Sequence, residues 1–185
     1  YKKLNMSKKN SSVNLKSGFK SYKDLSKIFL NFKNRLNRLN NDSYVVAVSG
    51  GPDSLALVAL SKAYSYTTKV KFYYVLVDHK IRKKSSQEAE KVKRLLKKHK
   101  VNLIIIINKK KITKNIQGQA RIIRYDILSN YCKKKKIKTL LTAHNLEDQV
   151  ETFFIWLSRG SGLKGLSAMN YLSKIDNSIN LYRPL

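Results

Sequence analysis

An apolar run, Tyr44-Val45-Val46-Ala47-Val48, leads straight into Ser49-Gly50-Gly51-Pro52-Asp53-Ser54, and a second apolar run, Leu55-Ala56-Leu57-Val58-Ala59-Leu60, follows at once. The stretch reads as strand, glycine turn, helix. Such a junction uses backbone conformations that glycine adopts most readily. It also aims N–H groups and the positive end of a helix at one spot, which suits a phosphate. No Lys follows the glycines, so this is not the GxxxxGK[ST] loop of most nucleotide hydrolases. Asp53 stands inside the turn instead, where a carboxylate can hold magnesium on a pyrophosphate. A plain Gly-Gly turn with an Asp-Ser helix start is the bland alternative.

The flanking chain decides between them. Residues 22–39 carry Leu25, Ile28, Phe29, Phe32, Leu36 and Leu39 at three- and four-residue steps, which predicts an amphipathic helix. Val70–Val77 reads as a buried strand that ends at Asp78-His79. Ser85-Ser86-Gln87-Glu88 has the Ser-x-x-Glu capping pattern, and the helix it starts packs through Ala89, Val92 and Leu96. Val101–Ile107 is a third strand. A helix over 117–136 follows, with Ala120, Ile123, Ile127 and Tyr131 on one side and Arg121, Arg124 and Leu128 on another. Thr139–Ala143 is a fourth strand, closed by His144. A helix over 146–158 then has Leu146, Val150, Phe153 and Leu157 as its core stripe, and Arg159-Gly160-Ser161-Gly162 ends it.

Strands alternating with helices predict a parallel sheet of about five strands with helices on both faces, joined by right-handed crossovers. The expected order is 3-2-1-4, extended by a strand near Leu181. Ligands in such sheets sit beyond the carboxyl ends of the strands, where the order reverses. The glycine turn, Asp78-His79 and His144 each follow a strand directly, so three polar clusters share one rim.

The 185 residues suit one domain with a sizeable core. With 39 Lys and Arg against 11 Asp and Glu, the formal net charge is +28, which favours polyanions and nucleic acid first among them. Cys132 is the single cysteine, which excludes a disulfide scaffold and a CxxC pair. No apolar run approaches transmembrane length, so the expected setting is the cytoplasm, without a membrane partner. Residues 1–21, rich in Lys, Asn and Ser, read as a basic flexible arm, and 22–185 as one folded unit.

The hexapeptide SGGPDS resembles the loop of the ATP pyrophosphatases, the PP-loop superfamily with a Rossmann-like, adenine nucleotide alpha hydrolase-like fold. Four later segments narrow the resemblance to the tRNA(Ile)-lysidine synthetases. They are Val77-Asp78-His79-Lys80-Ile81-Arg82, Gln119 to Tyr125, Thr142 to Thr152, and Arg159-Gly160-Ser161-Gly162-Leu163-Lys164-Gly165-Leu166, in that family's order. The resemblance implies that 22–185 is an ATP pyrophosphatase catalytic domain, incomplete at its C-terminal end, that uses ATP and Mg2+, a CAU-anticodon tRNA(Ile) and free L-lysine; a homodimer is a further expectation. ATP adenylates the wobble cytidine, and the lysine side-chain amine then displaces AMP to give lysidine. Asn145 and Glu147 replace a His and an Asp of the usual fourth motif, while His144 and Asp148 remain.

The roles implied follow residue by residue. Ser49, Gly50, Gly51, Pro52, Asp53 and Ser54 hold the ATP phosphates, with Asp53 as the magnesium ligand. Asp78 and His79 border the adenosine. Arg121 and Arg124 clamp phosphate oxygens in the transition state. Asp148 binds the lysine ammonium or a metal, with Glu151 next to it on the same face. His144 orients substrate or carries a proton, and Arg159, Gly160, Ser161 and Gly162 close over lysine or the nucleotide. The rivals are a thiolase-type PP-loop enzyme, disfavoured by the single cysteine, and a non-catalytic basic RNA-binding remnant.

Overall fold

The computed structural model describes residues 23–110, 112, 115–143, 172–175 and 178–185. In chain order these form α1 (Lys23–Asn37), β1 (Ser43–Ala47), α2 (Pro52–Ser65), β2 (Lys71–Asp78), α3 (Ser85–Lys98) and β3 (Leu103–Ile107). Then come α4 (Ile116–Lys135), β4 (Thr139–Leu141), β5 (Leu172–Lys174) and β6 (Asn180–Tyr182). The helix expected over 146–158 lies outside the described residues, as does the arm over 1–21.

The sheet order is β3-β2-β1-β4-β6-β5. Among the described residues five strands run parallel, and β6 supplies the strand anticipated near Leu181 beside β4. The sixth strand, β5, pairs antiparallel with β6 and was not anticipated. Its three residues, Leu172-Ser173-Lys174, are too short and too polar to show a period of two.

Alternation along β1 divides the core. Tyr44 and Val46 join Phe32 and Leu36 of α1, Leu57, Val58 and Tyr64 of α2, and Ala89 and Leu96 of α3. Val45 joins Leu128 and Cys132 of α4, together with Val75, Leu140 and Leu181, on the opposite face. Among the described residues, three helices therefore cover one face and α4 the other. Each fully buried Leu or Val contributes on the order of 1.5–3 kcal/mol over leaving it exposed. Truncating a fully buried residue such as Leu141 to Ala costs roughly 2–5 kcal/mol.

One expected apolar stripe needs correction, and a second helix has an inner side that the spacing left open. In α1, Leu25 and Ile28 are exposed, and Phe32 and Leu36 make the burial. In α4, Leu128 and Cys132 are buried against the sheet with Tyr125 and Tyr131 partly buried beside them, while Ile123 and Ile127 are partly covered and outside that cluster. Apolar residues occur all round α4, with Ile116 and Ile122 exposed, so spacing alone could not choose its inner side. The consequence reaches the site, because Arg121 and Arg124 fall on the Leu128 side.

The last described residues tie back to the first helix. The Arg35 guanidinium donates to the Pro184 carbonyl at 2.8 Å. The Tyr44 hydroxyl donates to the Leu36 carbonyl at 3.3 Å, and the Tyr64 hydroxyl to Asn37 Oδ1 at 2.7 Å.

Candidate active site

The turn behind β1 depends on its first glycine. Gly50 has φ +91°, and a Cβ there would lie 2.8 Å from Val92 Cγ2 of α3. Both the conformation and the contact require glycine. Gly51 is the N-cap of α2 with ordinary extended dihedrals, Pro52 occupies the first turn, and no side chain caps the helix. Ser54, 4% exposed, is used by the turn itself: its hydroxyl donates to the Gly51 carbonyl and accepts from the Gly50 N–H. Ser49 Oγ accepts from the Gly51 N–H at 3.4 Å. Asp53 is exposed in the first turn of α2.

β1 lies between β2 and β4, so the strand order reverses beside this turn. A cavity of about 250 Å³ opens there. Ser49, Gly51 and Asp53 line one part of it, Arg124 of α4 another, and Thr142, the residue after β4, a third. β4 thus stands where a shared site requires it. His144 itself lies outside the described residues, and so do Asp148, Glu151, Arg159, Gly160, Ser161 and Gly162.

A wider cleft adjoins the cavity, lined among others by Gly50, His79, Arg82, Arg121, Arg124 and Arg183. Both ring nitrogens of His79 are buried without a hydrogen-bond partner among the described residues. Burial lowers its pKa below 6.5, and the Arg124 charge lowers it further against a smaller opposing effect of Asp78. The imidazole is therefore neutral at neutral pH. Arg121 sits with its guanidinium carbon 5.7 Å from the Tyr125 ring centroid.

Asp78 is 4% exposed and occupied by its own surroundings. Its Oδ1 accepts from the Lys80 N–H at 2.9 Å and the Ser85 hydroxyl at 2.8 Å, and its Oδ2 from the Ser86 hydroxyl. Burial raises this carboxyl's pKa, but the donors from Ser86, Lys80 and Ser85 outweigh it, and the net shift is downward from 3.8. The expected Ser85-to-Glu88 capping pair is not formed. Lys84 is the N-cap of α3 without a side-chain bond, because the Ser85 hydroxyl has turned to Asp78.

Arg183 went unnoticed in the sequence. It follows β6 at the same rim and is 5% exposed. Burial lowers its pKa, with Arg121 acting in the same direction and Tyr125 against it. A rule that nominates the residue just behind every parallel strand would have found it, along with Thr142.

Among the described residues no three His, Cys, Asp or Glu side chains come together. Magnesium held through phosphate oxygens and water asks for only one or two carboxylates. Asp53, an exposed carboxylate lining the cavity, fits that donor set. Among the described residues no helix is long and apolar enough to cross a membrane.

The PP-loop domain family matches residues 24–185. The tRNA(Ile)-lysidine synthase of Orientia tsutsugamushi (strain Boryong) is 42% identical over 147 residues, which are 78% of this chain and 33% of that protein. That of Wolbachia pipientis wMel is 42% identical over 148 residues, 78% of this chain and 34% of the relative. That of Rickettsia rickettsii (strain Sheila Smith) is 33% identical over 156 residues, 84% and 32% respectively. The chain spans about a third of the length of these curated relatives. Among solved structures, the U34-tRNA thiolase NcsA from Methanococcus maripaludis with its 4Fe-4S cluster superposes with a TM-score of 0.71 at 19% identity, covering 87% of this chain and 59% of that one. Candida glabrata FMN adenylyltransferase, in complex with FMN and an ATP analogue, gives 0.54 at 12% identity, covering 92% and 58%. Both are likenesses of fold.

Proposed function

The chain belongs to the PP-loop family, and from that premise we propose that it is the ATP-handling part of a tRNA(Ile)-lysidine synthase. The reaction is ATP-dependent joining of L-lysine to C2 of the wobble cytidine in a CAU-anticodon tRNA(Ile), in the cytoplasm. The observation that carries this reading is the cavity that brings the glycine turn, Arg124 and the carboxyl end of β4 together at the reversal of strand order. Similarity at 42% identity to lysidine synthases supports assigning those substrates to the cavity.

In this reading the N–H groups at the start of α2 hold the ATP phosphates, aided by the helix dipole. Gly50 and Ser54 keep the turn in shape for them. Arg124 and Arg121 stabilise the charge that builds on the phosphoryl oxygens. Asp53 holds magnesium, which when bound supplies positive charge to the departing pyrophosphate. Cytosine O2 attacks the α-phosphorus, the bond to the bridging oxygen breaks, and pyrophosphate leaves. The lysine side-chain amine then attacks C2, AMP departs with the former O2, and one proton is released. Asp148 binds the lysine ammonium, with His144 and Glu151 beside it. The excess of Lys and Arg attracts the tRNA backbone.

A thiolase-type chemistry is less well supported: Cys132, the single cysteine of these 185 residues, is buried on the sheet side of α4. The deciding assay uses the complete protein, ATP, labelled lysine and a CAU-anticodon transcript. Stable label in the tRNA, with AMP and pyrophosphate released in equal amounts, is expected. RNA binding without pyrophosphate release would leave only a binding remnant.

A further inference from the structure

We infer that Thr142 is a nucleotide-binding residue whose hydroxyl donates a hydrogen bond to a phosphate oxygen of the ligand in the cavity. The inference rests on the ATP reading above for the identity of that ligand. Its backbone position is fixed: the Thr142 N–H donates to the Tyr182 carbonyl at 3.1 Å, one step beyond the β4–β6 ladder. Leu141 pairs with Val46, so Thr142 is level with Ala47. The two-residue alternation then puts it on the α4 face with Leu140 and Val45.

Thr142 is 3% exposed, and its Oγ1 is buried with no hydrogen-bond partner among the described residues. A buried hydroxyl without a partner destabilises the fold, and valine, of nearly the same shape, would avoid that cost. Packing therefore gives no reason for threonine here. The cavity gives one. Thr142 lines it together with Ser49, Gly51, Asp53 and Arg124, residues suited to a phosphate and its counter-ion. A hydroxyl donor in such company has a partner once an anionic oxygen arrives.

The test uses the complete protein with Thr142→Val and Thr142→Ser. Binding of a non-hydrolysable ATP analogue with an α,β-methylene bridge is measured by calorimetry, and the unfolding midpoint is taken without nucleotide. Valine should weaken the analogue by roughly tenfold or more, the range for a hydrogen bond to a charged group. Its nucleotide-free midpoint should equal or exceed that of the unaltered protein, and serine should bind within about threefold of it. This opposition of sign is the signature, since a structural hydroxyl would lower the midpoint and spare affinity. If valine does not fold, Thr142→Ala against Thr142→Ser makes the same contrast, as both lose the methyl and only one the hydroxyl. Equal affinity with and without the hydroxyl overturns the inference alone. Failure of the unaltered protein to bind the analogue overturns the ATP reading as well.

Discussion

Behind β1 the chain turns on Gly50 and Gly51 and enters α2 with no side-chain hydrogen bond capping the helix among the described residues. Behind β2 it turns on Asp78, whose carboxylate takes three donors from the segment leading into α3. The two junctions share one rim and one topology, and each brings an aspartate. At the first the carboxylate, Asp53, is exposed to the cavity; at the second, Asp78 is buried. One end of a helix is kept open for negative charge from outside, and the other has been supplied with its own. Strand–turn–helix connectivity alone therefore does not make an anion site. What fills the turn decides.

The strongest way to break this contrast is to fill the open turn. Gly50→Ala places a methyl in a left-handed conformation and 2.8 Å from Val92 Cγ2. Unfolding free energy should fall by roughly 1–3 kcal/mol, and calorimetry should show nucleotide affinity lost by on the order of a hundredfold or more. Binding that survives Gly50→Ala would mean that the phosphates sit elsewhere.

Asp53→Asn comes next. The amide keeps the shape and loses the charge, so pyrophosphate release should slow on the order of a hundredfold, with the unfolding midpoint unmoved. Equal losses in rate and stability would make Asp53 a structural residue like Asp78.

Asp78→Asn should show the reverse pattern, a loss of about 1–3 kcal/mol in denaturant unfolding at neutral pH. Because the folded-state pKa lies below its ordinary value of 3.8, the carboxylate's contribution is fully present above that value and fades as pH falls through the folded pKa. Unaltered and Asn proteins should therefore converge in stability in strong acid. A variant that keeps its unfolding midpoint and loses only nucleotide affinity would give Asp78 the adenosine role the sequence suggested. The smallest effect belongs to Gly51→Ala. Its φ is −75° and the nearest atom to a new Cβ, Ser49 Oγ, is 3.7 Å away, so stability should move by less than about 0.5 kcal/mol.

The open junction was legible in the sequence because everything it needs is local: five apolar residues, two glycines, a proline and an aspartate in a row. The closed one was misread for the converse reason. Ser85-x-x-Glu88 has a local meaning as a cap, but the partner that Ser85 takes stands seven residues upstream at the end of a strand. The sheet order followed from the alternation of elements and from the crossover rule, whereas β5 did not, since it depends on β6 as a neighbour. Arg183 gave no signal because burial of a charge is a property of the assembled rim.

The bond from Arg35 to the Pro184 carbonyl, across 149 positions of sequence, bears on how this molecule is made. A chain emerging from the ribosome completes α1 long before residue 184 exists. Phe32 and Leu36 can settle on β1 early, but the guanidinium waits for almost the whole described chain. Until β6 arrives, the outer edge of β4 is an unpaired row of backbone groups, open to any strand of another nascent chain. The interval between synthesis of β4 and docking of β6 is thus a vulnerable period for the described sheet, and slow translation would lengthen the exposure at that edge.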